Sequence, residues 1–171
     1  YYSFDSDNAF DSSGLGRDGV WEGTEAYVDG MFGRAASFDG LSAIYVAGFE
    51  NFAWGQAFTV SFWFWRGPGC DGNYVGIING GGYHDTGSWE VRMGRENSCT
   101  GLGGGVSTAA SLATWDHIWT GADGGVPPAP TDTWNHVVMT YDGVNAQFWL
   151  NSGDTGVSTR DTGDIVVDTD G

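Results

Sequence analysis

Acidic side chains are the groups in this sequence best suited to chemistry. Asp and Glu account for 22 of 171 residues, against six Arg and no Lys, and the formal net charge is −16. Retaining glycoside hydrolysis needs two carboxylates about 5 Å apart, which on one strand requires acidic residues at i and i+2 or i+4. Glu90 has its next acidic partner at Glu96, six positions on, and shares a strand face with Arg92, which indicates an ion pair on a solvated face of the sheet. The three histidines form no recognisable Ser–His–Asp or Cys–His order. These observations favour a protein that is not an enzyme.

Asp and Asn residues also form local clusters that could hold a calcium ion. Calcium takes about six to eight oxygen ligands, which acidic loops supply. The candidate metal ligands are Asp5, Asp7, Asp11, Asp71, Asn73 and Asp85. None of these runs has the complete spacing of an EF-hand loop, and Asp and Asn residues that cap turns would explain each run equally well. Calcium is therefore a candidate cofactor, with turn capping as the alternative.

A third group of interest consists of aromatic residues outside clear strand patterns. Sugars stack their apolar faces on exposed rings, while polar groups satisfy the hydroxyls. The candidate ligand-binding residues are Trp115, His117, Trp119, Trp21 and Tyr83. The first three lie in a predicted irregular segment, from about 108 to 131, and such long loops are often functional. The alternative is that Trp115 and Trp119 plug the end of the fold. By contrast, Trp63, Trp134 and Trp149 lie on strand patterns and are expected in the core.

The two cysteines predict a disulfide. Cys70 and Cys99 are separated by 28 residues and lack the Cys/His spacing of a zinc site. One bridge between them would stabilise the fold by about 3–4 kcal/mol in the chain-entropy model, and it would imply an oxidising compartment. Two buried free thiols are the alternative. We therefore expect an extracellular or cell-surface location.

Charge and hydropathy argue against two classes of partner. A surface with a net charge of −16 repels the phosphates of nucleic acids and anionic lipid headgroups. The sequence contains no run of eighteen apolar residues, so no membrane-spanning helix is predicted. The sequence begins at Tyr1 without an initiator Met or a signal peptide, and we expect a mature chain or a segment of a longer protein.

Short strand patterns separated by glycine-rich turns predict an all-β protein. Phe58–Trp65 alternates between two faces and is expected to be a central strand that is covered on both sides. Trp134–Tyr141 and Ala146–Leu150 flank Asp142-Gly143, which is a strong hairpin signal. The weaker predicted strands are Tyr1–Phe4, Arg34–Phe38, Ser42–Val46, Asn73–Ile78, Trp89–Met93, Leu102–Ser107 and Ile165–Val167. About ten short strands of this kind indicate an antiparallel two-sheet sandwich.

Six motifs occur along the chain in a characteristic order. They are Tyr2-x-Phe4-Asp5, Asp11-Ser12-Ser13-Gly14, Ala36-x-Phe38-Asp39-Gly40, Phe58-Thr59-Val60-Ser61-Phe62-Trp63, the run from Trp134 to Gly143, and the run from Phe148 to Gly153. Together they resemble the laminin-G-like, concanavalin A-like jelly-roll superfamily. The resemblance spans nearly the whole chain, 1–171, as one domain. It implies a curved antiparallel sandwich that binds glycans or proteins, often with calcium at a rim of loops.

One departure from the family pattern affects the expected fold. Two further strands normally follow, whereas this sequence ends at Gly171. The jelly roll is therefore expected to lack its last strands, unless they lie in a longer protein or a neighbouring subunit covers the open sheet edge.

Three functions compete at this point. The first is an extracellular, non-catalytic binding or adhesion module for a glycan or a partner protein, assisted by calcium. The second is a structural subunit of a cell-surface filament or assembly, and the third is a hydrolase or lyase acting on glycans.

Overall fold

The computed structural model describes residues 1–48, 57–68, 75–80, 89–95, 98–106, 117–120, 129–143 and 145–158. Within these ranges the chain forms twelve β-strands and no helix. Accordingly, the described part of the chain has no helix long and apolar enough to cross a membrane. The chain divides into two compact units, unit 1 (Tyr1–Glu50) and unit 2 (Asn51–Gly171), and each is described by itself. The single domain over 1–171 stays a prediction.

Unit 1 consists of two small antiparallel sheets. Its strands are β1 (Gly19–Glu22), β2 (Tyr27–Asp29), β3 (Arg34–Ala36) and β4 (Ala43–Val46). β1 pairs with β4, and β2 pairs with β3 in a hairpin. The hairpin turns at Gly33, whose φ of 61° favours glycine, and Gly30 donates its N–H to the Gly33 carbonyl at 2.8 Å. β1 and β2 lie outside the predicted strands.

The predicted strand at Tyr1–Phe4 is wrong. Phe4 has a φ of 60°, in the left-handed region, and its carbonyl accepts the Asp7 N–H at 3.0 Å. The chain therefore turns where an extended strand was expected. Asp7 is also left-handed, with a φ of 49°, a conformation that Asp tolerates better than most residues.

Unit 2 is built from two four-stranded antiparallel sheets. Sheet A has the order β12–β11–β10–β5, and its strands are β5 (Phe58–Arg66), β10 (Thr133–Tyr141), β11 (Ala146–Leu150) and β12 (Gly153–Ser158). Sheet B has the order β6–β7–β8–β9, and its strands are β6 (Val75–Gly80), β7 (Trp89–Arg95), β8 (Ser98–Val106) and β9 (His117–Thr120). The Asp142-Gly143 hairpin between β10 and β11 is confirmed, with Gly143 at a φ of 93°.

The core of unit 2 lies between sheets A and B. Its buried apolar side chains come from both sheets, namely Trp89, Val91, Leu102 and Val106 from sheet B and Val137, Met139, Tyr141, Ala146, Phe148 and Leu150 from sheet A. Gly104 on β8 lies in close contact with sheet A, because a Cβ there would be 3.0 Å from Met139 Sδ and 3.2 Å from Phe148 Cε2. The predicted all-β antiparallel sandwich is confirmed.

The expectation of an irregular segment from about 108 to 131 is wrong at β9. His117–Thr120 pairs antiparallel with β8, in the register Leu102 with Thr120 and Gly105 with His117. β9 has four residues, and β8 opposite it contributes a run of glycines, so neither strand shows a strong local pattern. The unpredicted β12 is also glycine-containing and pairs with β11 through a bulge. The predicted strand Ile165–Val167 lies outside the described residues.

Candidate functional site

The outer face of sheet A carries a group of ring side chains. The residues of β5 alternate strictly between its two faces. Those that pack on the core are Phe58, Val60, Phe62 and Phe64. Trp63 and Trp65 point away from the core and are 40% and 52% exposed. The same alternation on β10 and β11 leaves half-buried residues on the outer side. We call the outer-side rings of these strands the aromatic face, which consists of Trp63, Trp65, Trp134, His136 and Trp149.

Strand register brings these rings together. Trp65 lies opposite Trp134, and Trp63 lies opposite His136. The Trp63 and His136 rings stack with centroids 4.8 Å apart at 23°, while Trp65 and Trp134 meet edge to face at 5.9 Å and 74°. Trp149 on β11 lies opposite Val138, one step along β10 from His136 on the same side. The rings therefore form a band that runs across three neighbouring strands.

Hydrogen bonds hold His136 in this band. Its Nε2 lies 2.9 Å from the Ser61 hydroxyl. Its backbone N–H donates to Asn151 Oδ1, and its carbonyl accepts the Asn151 N–H, both at 2.9 Å. Asn151 Nδ2 in turn donates to Oδ1 of the fully buried Asn135 at 3.0 Å. The Asn151 turn, with a φ of 50°, thus fixes the start of β10 from which Trp134 and His136 project.

The outer positions of β5, β10 and β11 carry no charged residue. They are Thr59, Ser61, Trp63, Trp65, Trp134, His136, Val138, Thr140, Gln147 and Trp149. Rings of this kind accept the apolar faces of sugars, and hydroxyl, amide and imidazole groups form hydrogen bonds with sugar hydroxyls. Exposed aromatic patches of this kind mark interaction surfaces.

The aromatic face corrects two expectations for β5. Trp63 was expected in the core and is exposed, and the expectation that both faces of this strand are covered is wrong. Trp134 and Trp149 are half-buried. The missed signal was Thr59 and Ser61, two polar residues with the same parity as Trp63 and Trp65, which indicate a solvent-facing side.

The sequence-predicted ligand residues His117 and Trp119 lie on β9 in sheet B. Their register places His117 opposite Gly105 and Trp119 opposite Gly103, and these glycines lie opposite Glu90 and Arg92 on β7. The strand register thus brings both residues into rows with the acid and the base that the sequence analysis singled out. Trp115 and Tyr83 lie outside the described residues. Ligand binding by these four residues stays a prediction.

Glu90 and Arg92 form the expected ion pair, but the face on which it lies is largely buried, whereas a solvated face was expected. Arg92 NH1 lies 3.0 Å from Glu90 Oε1, and both side chains are almost fully removed from solvent. Each group is the counter-charge of the other, and removal of either partner would leave an uncompensated buried charge. In this pair the Glu90 carboxylate is held by a guanidinium.

Trp21, the fifth candidate ligand residue, belongs to an aromatic cluster in unit 1. Its Nε1 donates to the Tyr27 hydroxyl at 2.7 Å, and that hydroxyl donates to Glu25 Oε1 at 2.8 Å. The Trp21 ring also lies 5.2 Å from the ring of Phe38. Desolvation raises the pKa of Tyr27, which keeps the phenol protonated and able to donate.

Two of the candidate metal ligands are bound to an arginine. Arg34 Nε donates to Asp7 Oδ1 at 2.8 Å, and its backbone N–H donates to Asp5 Oδ1 at 3.1 Å. Arg34 NH1 donates to Asp29 Oδ1 at 2.8 Å. The guanidinium thus supplies the positive charge between Asp7 and Asp29, whereas Asp5 is held by the Arg34 backbone. We call Arg34, Asp5, Asp7 and Asp29 the arginine cluster.

Asp11 is held by other partners. Its Oδ1 accepts from the Tyr1 ammonium at 3.0 Å and from the Ser13 N–H at 2.9 Å. Hydrogen bonding from Ser13, together with the bonds from Tyr1 and Arg17, holds the pKa of Asp11 well below its usual range. Asp11 is therefore a carboxylate that already caps a turn.

The calcium and disulfide predictions remain predictions. Among the described residues, no three His, Cys, Asp or Glu side chains form a group that could hold a metal. Asp71, Asn73 and Asp85 lie outside those residues. Cys99 is on β8, while Cys70 lies outside the described residues as well.

A comparison with known proteins identifies a similar fold. No known family model matches the chain, and no curated protein matches it significantly. The chain is similar to a solved structure of domain 4 of AbnA, a GH43 extracellular arabinanase from Geobacillus stearothermophilus, in complex with arabinotriose. The TM-score is 0.68, the sequence identity is 20%, and the match covers 96% of this chain and 78% of that chain. At this identity the similarity shows the fold, a β-sandwich.

Proposed function

We propose that this protein is an extracellular, non-catalytic carbohydrate-binding module and that the aromatic face is its binding surface. The observation that carries the proposal is the exposure of Trp63 and Trp65 in a band of rings flanked by neutral polar groups. The fold neighbour adds support, because it is a domain of an extracellular arabinanase in complex with arabinotriose. The order of the six sequence motifs supports a laminin-G-like domain, and this family is part of the same proposal.

Binding at the aromatic face combines stacking with hydrogen bonding. A sugar ring places its C–H face on a tryptophan, while hydroxyls around its rim reach the Ser61 hydroxyl and the His136 imidazole, which already bond to each other. The surrounding β-sheet keeps the rings in place before the ligand arrives, so little conformational entropy is lost on binding. Because the rings span three strands, an extended oligosaccharide contacts more of them than a single sugar does.

The non-catalytic part of the proposal is supported by the setting of Glu90. Retaining hydrolysis needs a second carboxylate about 5 Å from the first, whereas the described partner of Glu90 is the guanidinium of Arg92. A hydrolytic protein would release reducing sugar from the glycan that it binds. We expect no release from arabinan, xylan or mixed-linkage glucan.

The proposal is tested by calorimetric titration with arabinotriose and with soluble neutral polysaccharides. Trp63→Ala and Trp65→Ala each remove one exposed ring, and a ring contact of about 1.4 kcal/mol corresponds to roughly ten-fold in Kd. The matched control is Phe32→Ala, which removes an exposed ring in unit 1. We expect weaker binding for the first two variants and no change for the third.

The same titration distinguishes the aromatic face from the sequence-predicted site. Trp115→Ala and Trp119→Ala are compared with Trp63→Ala, and circular dichroism checks that all variants fold. If the first two abolish binding while Trp63→Ala binds normally, the ligand site is in the predicted loop region and the proposal for the aromatic face is wrong.

A further inference from the structure

We infer that the aromatic face selects uncharged glycan chains over acidic ones, an inference that rests on the proposed function at this face. The outer side of β5, β10 and β11 has ten positions, and none of them is Asp, Glu, Lys or Arg. A carboxylate or sulfate on a sugar needs a cationic partner when it leaves water for an apolar surface. The ten outer positions offer no permanent cation for this role.

The arginine nearest to the rings along the chain points to the other side of the sheet. Arg66 ends β5, is buried, and donates from NH1 to the Ala129 carbonyl. Its side chain is thus directed to the inner face and to a backbone acceptor. The alternation that exposes Trp65 places this arginine on the opposite side.

The net charge of the whole chain also disfavours the binding of acidic glycans. The chain carries a net charge of −16, which lowers the local concentration of polyanions at its surface. An acidic glycan is therefore repelled without forming a compensating ion pair. A neutral glycan has no charge to be repelled or desolvated.

The test uses one polymer backbone in two charge states. Linear mixed-linkage glucan is compared with the same glucan partly oxidised at its primary hydroxyls to carboxylates, and affinity electrophoresis measures binding at low and at high salt. We expect the oxidised chain to bind at least ten-fold more weakly at low salt and to regain part of the loss when salt screens the repulsion. If it binds as tightly as the neutral chain, the inference is overturned while the proposed function stands.

A charge-reversal pair at one position makes the test specific to this face. Thr59 is exposed on the outer side of β5, beyond Ser61 and outside the aromatic face as defined. We expect Thr59→Lys to strengthen binding of the oxidised glucan several-fold and Thr59→Glu to weaken it, each measured relative to the binding of the neutral glucan by the same variant. If both variants leave the oxidised glucan unaffected, acidic chains are excluded elsewhere and the inference is wrong. If no neutral glycan of the function panel binds and Trp63→Ala changes nothing, the proposed function and this inference both fall.

Discussion

Different forces stabilise each of the two units of this protein. In unit 1, the described residues 1–48 include a single buried apolar side chain, Ala9, and the fixed contacts are hydrogen bonds, ion pairs and ring pairs. In unit 2, a continuous apolar core fills the space between sheets A and B. A polar assembly is sensitive to charge, salt and pH, whereas an apolar core is sensitive to lost volume. The comparison therefore predicts which perturbations should affect each unit.

The largest effect is expected from a cavity in unit 2. Phe148 is fully buried between the sheets, and Phe148→Ala should destabilise the protein by about 3–5 kcal/mol because a cavity remains. Phe148→Leu keeps most of the volume and should cost clearly less. Chemical denaturation measures both. The unit 1 variant Phe32→Ala, at a ring that is 72% exposed, should stay within about 0.5 kcal/mol of the parent. Equal losses for Phe148→Ala and Phe32→Ala would contradict the comparison.

The next effect is expected from the arginine cluster in unit 1. Arg34→Gln removes the charge that joins Asp7 and Asp29, so these two carboxylates repel each other, while the Arg34 backbone N–H that binds Asp5 is kept. Hydrogen exchange followed by mass spectrometry should show faster exchange in the peptides of unit 1, with the β10–β11 peptides unchanged. Added salt should reduce the difference because it screens the repulsion. Arg17→Gln, in the same unit and outside the cluster, is the control. Faster exchange in both units, independent of salt, would show that the cluster does not act by charge.

A smaller, pH-dependent effect is expected at Asp11. Its pKa is held below its usual range in the folded chain, whereas the unfolded value is about 3.9. The carboxylate therefore contributes stability that is complete above about pH 4 and is lost as the pH falls through the lower, folded pKa. Denaturation midpoints between pH 5 and pH 2 should show this loss, and Asp11→Asn should flatten that part of the profile. An unchanged slope in Asp11→Asn would mean that other carboxylates carry the acid sensitivity.

The smallest expected effect is that of Asp7→Asn in unit 1 on the Tm shift caused by calcium. If calcium binds the folded chain, excess calcium raises the Tm by several degrees through mass action, and a chelator reverses the change. Asp7 already accepts a hydrogen bond from Arg34. We therefore expect Asp7→Asn to leave the calcium shift intact and Asp71→Asn to reduce it. A Tm that is identical in calcium and in chelator would show that calcium does not bind the folded chain.

Local patterns predicted a large part of unit 2. The alternation in Phe58–Trp65 and Trp134–Tyr141 and the Asp142-Gly143 turn predicted β5, β10 and the hairpin to β11, because period and turn chemistry are properties of neighbouring residues. β9 escaped prediction because its four residues depend on pairing with the glycines of β8. That pairing is a contact between distant segments, and no local pattern reports it.

The candidate site was harder to predict than the fold. Alternation shows that Trp63 and Phe62 face opposite sides, but only the position of sheet B shows which of these sides is covered. The arginine cluster was not predicted either, because Arg34 and Asp7 are 27 residues apart in the chain and meet through the turn after Phe4. The acidic run at Asp5 and Asp7 predicted candidate ligands, whereas no local pattern indicated that the Arg34 guanidinium binds Asp7.

The bare tryptophans of sheet A have a consequence for the behaviour of this protein at high concentration. Exposed rings on one face of a sheet favour association of two copies through that face. Each copy carries the same large negative charge, so like copies repel and remain dispersed although their rings are open. Along a neutral polymer, such molecules would space themselves apart instead of clustering. In concentrated salt that repulsion weakens, and the chains should begin to pair through the exposed rings of sheet A.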